Sequence, residues 1–506
     1  MRASTWIFRA VAGFCIVTLG PWSTGRGVAQ NQPARTPRSE KPRPQETAPG
    51  QETVPVLMLS DIHFDPFFDP AKVPALASSP ISDWKSILAS APSPDRAARL
   101  AALKGMCATR GEDTSYALLD SSLRAMQAHA AGAKFVTVSG DLMAHQFDCK
   151  FNTLFPHAAP GEYRAFAEKT MAFMQQELSN SFPGVTAYTA LGNNDSDCGD
   201  YTLDAHSEFL SAVGENVTRG FAEAERTAAQ STFAAGGYYS VRLPAPMKNA
   251  RLIVLDDLFM AAPYATCGGK KDATEAAEQL TWLRQQLSAA RLNKEKVWVM
   301  SHIPPGVDLM ASVKRMGDVC GVKGPAMYLG SQKIADTMVE FSDVVQLGIF
   351  AHTHMDEWRI LKIDDAAAVA GSKNAVAVKT VSSISPINGN LPSFTVAQVA
   401  PSTAELVDYR VFTASNQTGV DATWKEEYDF GRTYGAPAFN ASAVARLINK
   451  FEADAGVTSP ASRAYIQNFS AGKNSTLLSL VWPEYVCNMQ HDSAEGFKGC
   501  VCAAAR

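Results

Sequence analysis

The stretch Val344-Val345-Gln346-Leu347-Gly348-Ile349-Phe350-Ala351-His352-Thr353-His354 decides how the rest of this chain reads. Its first seven residues are an almost unbroken apolar run of strand length, which predicts a strand buried on both faces. Its last three carry two imidazoles one residue apart. Four other segments repeat this grammar. Residues 54–60 run into Asp61-Ile62-His63, and 134–139 into Gly140-Asp141. Residues 185–191 run into Gly192-Asn193-Asn194-Asp195, and 296–301 into His302. Strand ends in an α/β sheet converge on one crevice, so ligands scattered over nearly three hundred residues can be assembled there.

Working outward, residues 114–131, 162–178 and 273–290 have helical periodicity and alternate with the strands through residue 350. Further strands are expected at 237–243 and 251–255. After 350 the pattern changes to strands without intervening helices, at 358–363, 375–381, 394–399 and 405–411. Alternating units followed by a β-rich stretch predict an α/β fold of two packed mixed β-sheets sandwiched by helices. The region from 421 to 506 reads as helical, clearest at 441–453, and is expected to form a small C-terminal subdomain behind a catalytic domain of residues 54–420.

The N-terminus reads as an export signal over residues 1–29. Arg2 gives the charged start, 6–22 is mostly apolar, and Gly27-Val28-Ala29 supplies small residues for cleavage. Arg9 interrupts the apolar run and leaves it short for a membrane span; the other reading is an uncleaved signal anchor. Residues 30–53 are rich in Pro, Gln, Glu and Arg, as in a disordered linker. No later stretch is long and apolar enough for a membrane helix, so a secreted or periplasmic protein is expected. Removing the arginines at 2, 9 and 26 makes the formal net charge of −4 more negative by three, which gives no footprint for nucleic acid. Nine cysteines become eight once Cys15 leaves, an even number that fits disulfides. Cys500-Val501-Cys502 lacks the paired spacing of a zinc ribbon.

The chemistry of the clusters is that of divalent metals. Asp61 and His63 can turn onto one ion from a strand end. Asp141 can bridge two cations with its two oxygens. Gly192 lets the chain turn sharply and present the Asn193 amide oxygen. His302, His352 and His354 add imidazole nitrogens. Mixed His, Asp and Asn ligation suits zinc, manganese or iron and not calcium, which takes oxygen alone. Each cluster is a weak signal by itself; five in this order at strand ends are a strong one.

At this point the chain resembles the calcineurin-like metallophosphoesterases, whose pattern is D-x-H, G-D, G-N-H-[DE], H and G-H-x-H. It departs twice, with Ala351 for the glycine of the last motif and Asn194 for the histidine of the third. The resemblance sharpens to the acid-sphingomyelinase-like and endopolyphosphatase branch. It is carried there by Gly140-Asp141-Leu142-Met143-Ala144-His145, by His302-Ile303-Pro304-Pro305-Gly306 and by Pro386-Ile387-Asn388-Gly389-Asn390-Leu391-Pro392. The likeness spans roughly 54–415. It implies two divalent ions, zinc before manganese or iron, the first on Asp61, His63, Asp141 and His354. The second would sit on Asp141, Asn193, His302 and His352. It also implies disulfides Cys267–Cys320 and Cys487–Cys500.

The resemblance further implies phosphodiester or phosphoanhydride hydrolysis by hydroxide attack on phosphorus. Asn194 removes the histidine that such enzymes use on the leaving group and can only hydrogen-bond the phosphate. His145 is then the expected general acid, against a purely structural role. The expected substrate is a phosphorylated small molecule or polyphosphate. Sphingomyelin fits less well, because a cysteine-free linker stands where the mammalian lipid enzyme has a cysteine-rich module. The rival from another class is a metal-binding protein with impaired catalysis. Asp195 is expected to brace its loop, and Asp65 to be a turn residue or a support behind the ligands. His129 is expected to be an exposed helix residue. His157, His206 and His491 lack motif context, so surface or packing roles are expected. Gly236-Gly237 reads as a strand entry.

Overall fold

The computed structural model describes residues 52–314, 319–362 and 374–503. The export signal expected at 1–29 and all but the last two residues of the expected linker lie outside the described residues. In chain order the strands are β1 (Val54–Leu59), β2 (Phe135–Val138), β3 (Thr186–Thr189), β4 (Tyr239–Arg242), β5 (Ala250–Val254) and β6 (Lys296–Met300). They continue as β7 (Val345–Phe350), β8 (Glu357–Lys362), β9 (Ala375–Thr380), β10 (Ser393–Val399), β11 (Leu406–Ala414) and β12 (Trp424–Asp429).

They form two six-stranded sheets, ordered β12-β11-β10-β1-β2-β3 and β4-β5-β6-β7-β9-β8. Each is mixed. β1, β2 and β3 are parallel, whereas β10 joins β1 antiparallel. In the second sheet β5, β6, β7 and β9 are parallel, with β4 and β8 antiparallel at the edges. Parallel neighbours need long crossovers, and the helices Tyr116–His129, Glu162–Ser181 and Thr274–Leu292 lie in them. The first starts where Ser115 caps it, its side chain accepting from the Leu118 amide.

The sheets meet on fully buried side chains. Trp298 of β6 is fully buried edge-on to Phe135 of β2, and its indole N–H donates to the Ala404 carbonyl at 2.8 Å. Truncating such a ring to alanine costs roughly 3–5 kcal/mol. The two-sheet α/β sandwich expected from the sequence is the fold observed.

The stretch after residue 420 begins differently from the helical expectation: β12 pairs with β11 and completes the first sheet. Helices Ala441–Glu452, Pro460–Asn468 and Trp482–Gln490 follow. They cover β8, where Trp358 contacts the rings of Phe451 and Tyr465, and Tyr485 donates to Glu357 at 2.7 Å. β8 starts three residues past His354, so this packing holds the far side of the His-Thr-His turn.

All eight cysteines outside the N-terminal segment are paired, as Cys107–Cys149, Cys198–Cys267, Cys320–Cys502 and Cys487–Cys500. The expected Cys487–Cys500 bridge is present. The expected Cys267–Cys320 bridge is not, because Cys267 lies 5.5 Å from Cys198 between α-carbons and Cys320 lies 5.8 Å from Cys502. Helix His129 also departs from expectation, since its ring stacks on Phe412 at 4.3 Å and is half-buried.

Candidate metal centre

The five clusters sit just past the C-terminal ends of β1, β2, β3, β6 and β7, and they meet in one crevice. The backbone there is strained in a consistent way. Asp61, His63, Asp141, His352 and His354, five of the seven candidate ligand residues, hold φ between 43° and 71°. Left-handed backbone in residues other than glycine is uncommon and concentrates at functional sites. The two motif glycines are required sterically. A Cβ on Gly140 would lie 2.8 Å from His302 Nδ1, and one on Gly192 would lie 2.1 Å from Asp141 Oδ1.

Ligand atoms converge in two groups that share one oxygen. Asp141 Oδ2 lies 3.4 Å from His63 Nε2 and 3.2 Å from His302 Nε2. On the first side, His63 Nε2 faces His354 Nε2 at 3.1 Å, with Asp61 Oδ1 3.6 Å from the latter. On the second, His302 Nε2 faces the Asn193 amide oxygen at 3.1 Å, and a His352 ring nitrogen lies within 4.8 Å of ligand atoms of Asp141 and His302. Asp141 Oδ1 accepts from the Asn194 backbone at 2.9 Å, so Oδ2 alone faces both groups.

These residues fit divalent ions. Ligands about 2.1 Å from one ion stand about 3.0 Å apart at right angles and about 3.4 Å apart in a tetrahedron; four of the pairs lie at 3.1–3.4 Å, while Asp61 Oδ1 stands farther off, 3.6 Å from His354 and 3.9 Å from His63. The tautomers fit as well. His63 Nδ1 donates to the Met143 carbonyl at 2.9 Å, and His302 Nδ1 to the Ser139 carbonyl at 2.8 Å. Both Nε2 lone pairs therefore point into the crevice, with the other ring nitrogen anchored as metal-binding histidines require. Asn193 is oriented by Asp200, whose Oδ1 accepts from its Nδ2 at 2.7 Å and so turns the amide oxygen inward. Tyr201 lies beside it, its hydroxyl 3.1 Å from His352 Nε2. Asp195 braces the loops, accepting from the backbone of Leu142, Met143 and Gly192 at 2.8–2.9 Å.

Electrostatics point the same way. Burial, helped by Asp141 against His302, pushes the Asp61 carboxyl up to about 7. Burial also lowers His63 to about 4 and His352 to about 3, with neighbouring imidazoles His145 and His302 adding to the respective effects. His302 rises to about 10 because Asp141 and Asp61 outweigh its burial. His63 and His352 are thus held neutral, while the carboxylates of Asp141 and Asp61 draw onto His302 a positive charge that a bound cation would supply instead.

His145 stands at the open side of the first group, its ring stacked on His63 at 4.0 Å and its side chain 30% exposed. Its Nδ1 donates to Asp113 Oδ1 at 3.0 Å and its backbone N–H to Asp113 Oδ2 at 2.9 Å. Burial would lower the imidazole, but Asp113 outweighs it and raises it. Asp113 in turn accepts from Ser385 at 2.9 Å and lies 3.9 Å from Lys150, which is paired with Asp65 at 2.9 Å. Asp65 is therefore joined to the histidine through a buried lysine rather than being a turn residue alone. Asn194 lies beside Asp141, its Nδ2 donating to Oδ2 at 3.0 Å. Sequence reading missed Asp113, Lys150, Asp200 and Tyr201. The first two lie in segments without motif grammar, and only nearness to the Gly-Asn-Asn-Asp cluster could have singled out the others.

The fold brings the strand-end His, Asp and Asn side chains together in one crevice between the β-strand ends. In sequence the chain is similar to acid sphingomyelinase-like phosphodiesterases. It is 24% identical over 471 residues to acid sphingomyelinase-like phosphodiesterase 3b of Homo sapiens, covering 88% of this chain and 90% of that one. It is 29% identical over 267 residues to the cyclic GMP-AMP phosphodiesterase of Rattus norvegicus, covering 52% and 56%. The chain thus spans little more than half the length of the cyclic GMP-AMP phosphodiesterases of rat and human that it matches, 56% and 58%. It is 23% identical to sphingomyelinase phosphodiesterase C of Dictyostelium discoideum, covering 77% and 82%. Among solved structures, a dimetal phosphatase from Danio rerio covers 74% of this chain and 99% of its own at 12% identity and a TM-score of 0.39. No family model matches the chain.

Proposed function

We propose that this chain is an exported, metal-dependent phosphodiesterase working with two divalent ions. Asp61, His63, Asp141 and His354 would hold one, and Asp141, Asn193, His302 and His352 the other, with zinc the best match to the donor set. The observation that carries this reading is the placement of Asp141 Oδ2 between His63 Nε2 and His302 Nε2, at 3.4 and 3.2 Å. When bound, such ions supply positive charge for the phosphate and ease the ionisation of an attacking water. The water oxygen forms its bond to phosphorus as the bond to the leaving oxygen breaks.

The protein's own groups do the rest. His145, with Nδ1 committed to Asp113, offers Nε2 to the departing oxygen and gives it a proton. Asn194 fills the place of a histidine without its chemistry, and holds the shared carboxylate. The relatives' names favour a phosphodiester over a phosphoanhydride substrate, and the substrate class proposed is a small soluble phosphodiester. Four disulfides among the described residues support an oxidising compartment outside the cytosol.

Hydrolysis of bis-p-nitrophenyl phosphate by the purified chain, before and after chelation and after repletion with zinc, manganese, cobalt or iron, tests this proposal. Turnover lost to chelator and restored by metal is expected. Absence of metal-dependent turnover with all four would leave a metal-binding protein without catalysis.

A further inference from the structure

Away from the crevice, three ligand-bearing residues from two distant segments come together. His206 follows the Cys198-to-Asp204 loop in a left-handed conformation (φ 56°), and its backbone N–H is latched to the Ala235 carbonyl at 2.8 Å. Glu275 and Glu278 stand one turn apart near the start of helix Thr274–Leu292. One ligand atom from each of the three lies within 4.8 Å of the others. Glu275 is only 5% exposed, yet its Oε1 has no hydrogen-bond partner among the described residues. The carboxylate packs on Gly236, where a Cβ would come within 2.1 Å of Oε1, so it is held in place by the end of helix Glu223–Gly236. Burial first, and Glu278 second, push its carboxyl up to about 7. A helix N-terminus favours acidic residues, but that preference does not account for a buried carboxylate oxygen with no donor. Leaving such an oxygen unsatisfied costs on the order of 1–3 kcal/mol.

We propose that His206, Glu275 and Glu278 form a further divalent-cation site that uses none of the crevice residues. Two carboxylates and one imidazole balance a doubly charged ion, and the imidazole selects zinc-like ions over calcium or magnesium. His206 and Glu278 are exposed, so water completes the coordination shell. The site has a structural use. It pins the segment carrying Asp200 and Tyr201, which touch Asn193 and His352, to the helix layer beside the second sheet.

The test is the zinc content of the full-length chain after stripping, reloading with zinc and gel filtration. His206→Ala and Glu278→Gln alter exposed side chains, and circular dichroism checks that both variants are folded. Each is expected to hold one zinc per chain fewer than the unaltered protein, and to lose the part of its melting temperature that zinc restores through this site. A full zinc count in either variant overturns the proposal. Asp141→Asn, assayed in parallel, reports on the crevice alone, so failure there is told apart from failure here.

Discussion

Asp113 Oδ1 accepts a hydrogen bond from His145 Nδ1 at 3.0 Å, while Asp113 Oδ2 accepts from the backbone N–H of the same histidine. This two-point hold fixes both the ring and the chain that carries it. It leaves Nε2 as the one ring nitrogen free for a substrate, and raises the imidazole towards its protonated form.

A leaving group that needs a proton should therefore depend on His145. His145→Ala is expected to slow hydrolysis of an alkyl phosphodiester by about 10²–10⁴-fold. On p-nitrophenyl esters, whose leaving group needs little protonation, the loss should be much smaller. Asp113→Asn should show the same leaving-group pattern at reduced size. Rate constants across a leaving-group series check this, and equal losses at both ends of the series would exclude proton donation.

Asp200 offers a second test, because it is not itself a candidate ligand and reaches the second group through its hydrogen bond to Asn193. Replacing Asp200 with alanine frees the amide to turn its nitrogen inward. Metal affinity of the second group is expected to fall by roughly 10–100-fold, the usual cost of removing an outer support. Competition titration with a chelating dye measures it. An unchanged affinity would mean that Asn193 is held by its loop alone.

Glu427 on β12 has neither carboxylate oxygen hydrogen-bonded among the described residues, and burial, then Asp356, push it up to about 9. A carboxyl raised in the folded state binds its proton more tightly there than in the unfolded chain. Stability is therefore lost as pH rises from the unfolded value near 4.5 through 9. Glu427→Gln should match the unaltered protein near pH 4.5 and exceed it at pH 8, by at most about 5 kcal/mol at about 1.36 kcal/mol per pH unit. Denaturant unfolding at the two pH values decides this. A constant difference between the proteins at both would show that the carboxyl is ordinary.

The candidate ligand residues were readable in the sequence because metal chemistry asks for particular residue types at strand ends. Runs such as 54–60 and 344–350 announce those ends, and Asp61, His63, Asp141, Asn193, His302, His352 and His354 all reach one crevice. What it could not show depends on contacts between distant segments. Asp113 matters only because folding brings it to His145, and Ser385 reaches it from the other half of the chain. β12 escaped notice because its run Trp424-Lys425-Glu426-Glu427-Tyr428-Asp429 is mostly charged, and edge strands take charged residues freely. The Cys198–Cys267 bridge was illegible for the same reason, since cysteine spacing does not fix pairing.

The central claim is that Asp141 Oδ2 is shared by two ions. The most direct measurement is anomalous diffraction at the zinc edge from crystals of the zinc-loaded protein. Two peaks in the crevice about 3.5–4 Å apart, the usual spacing of paired catalytic metals, are expected on either side of Asp141. One between Asp61, His63 and His354 and one between Asn193, His302 and His352 would bear the account out. A single peak, or two peaks without Asp141 between them, would contradict it.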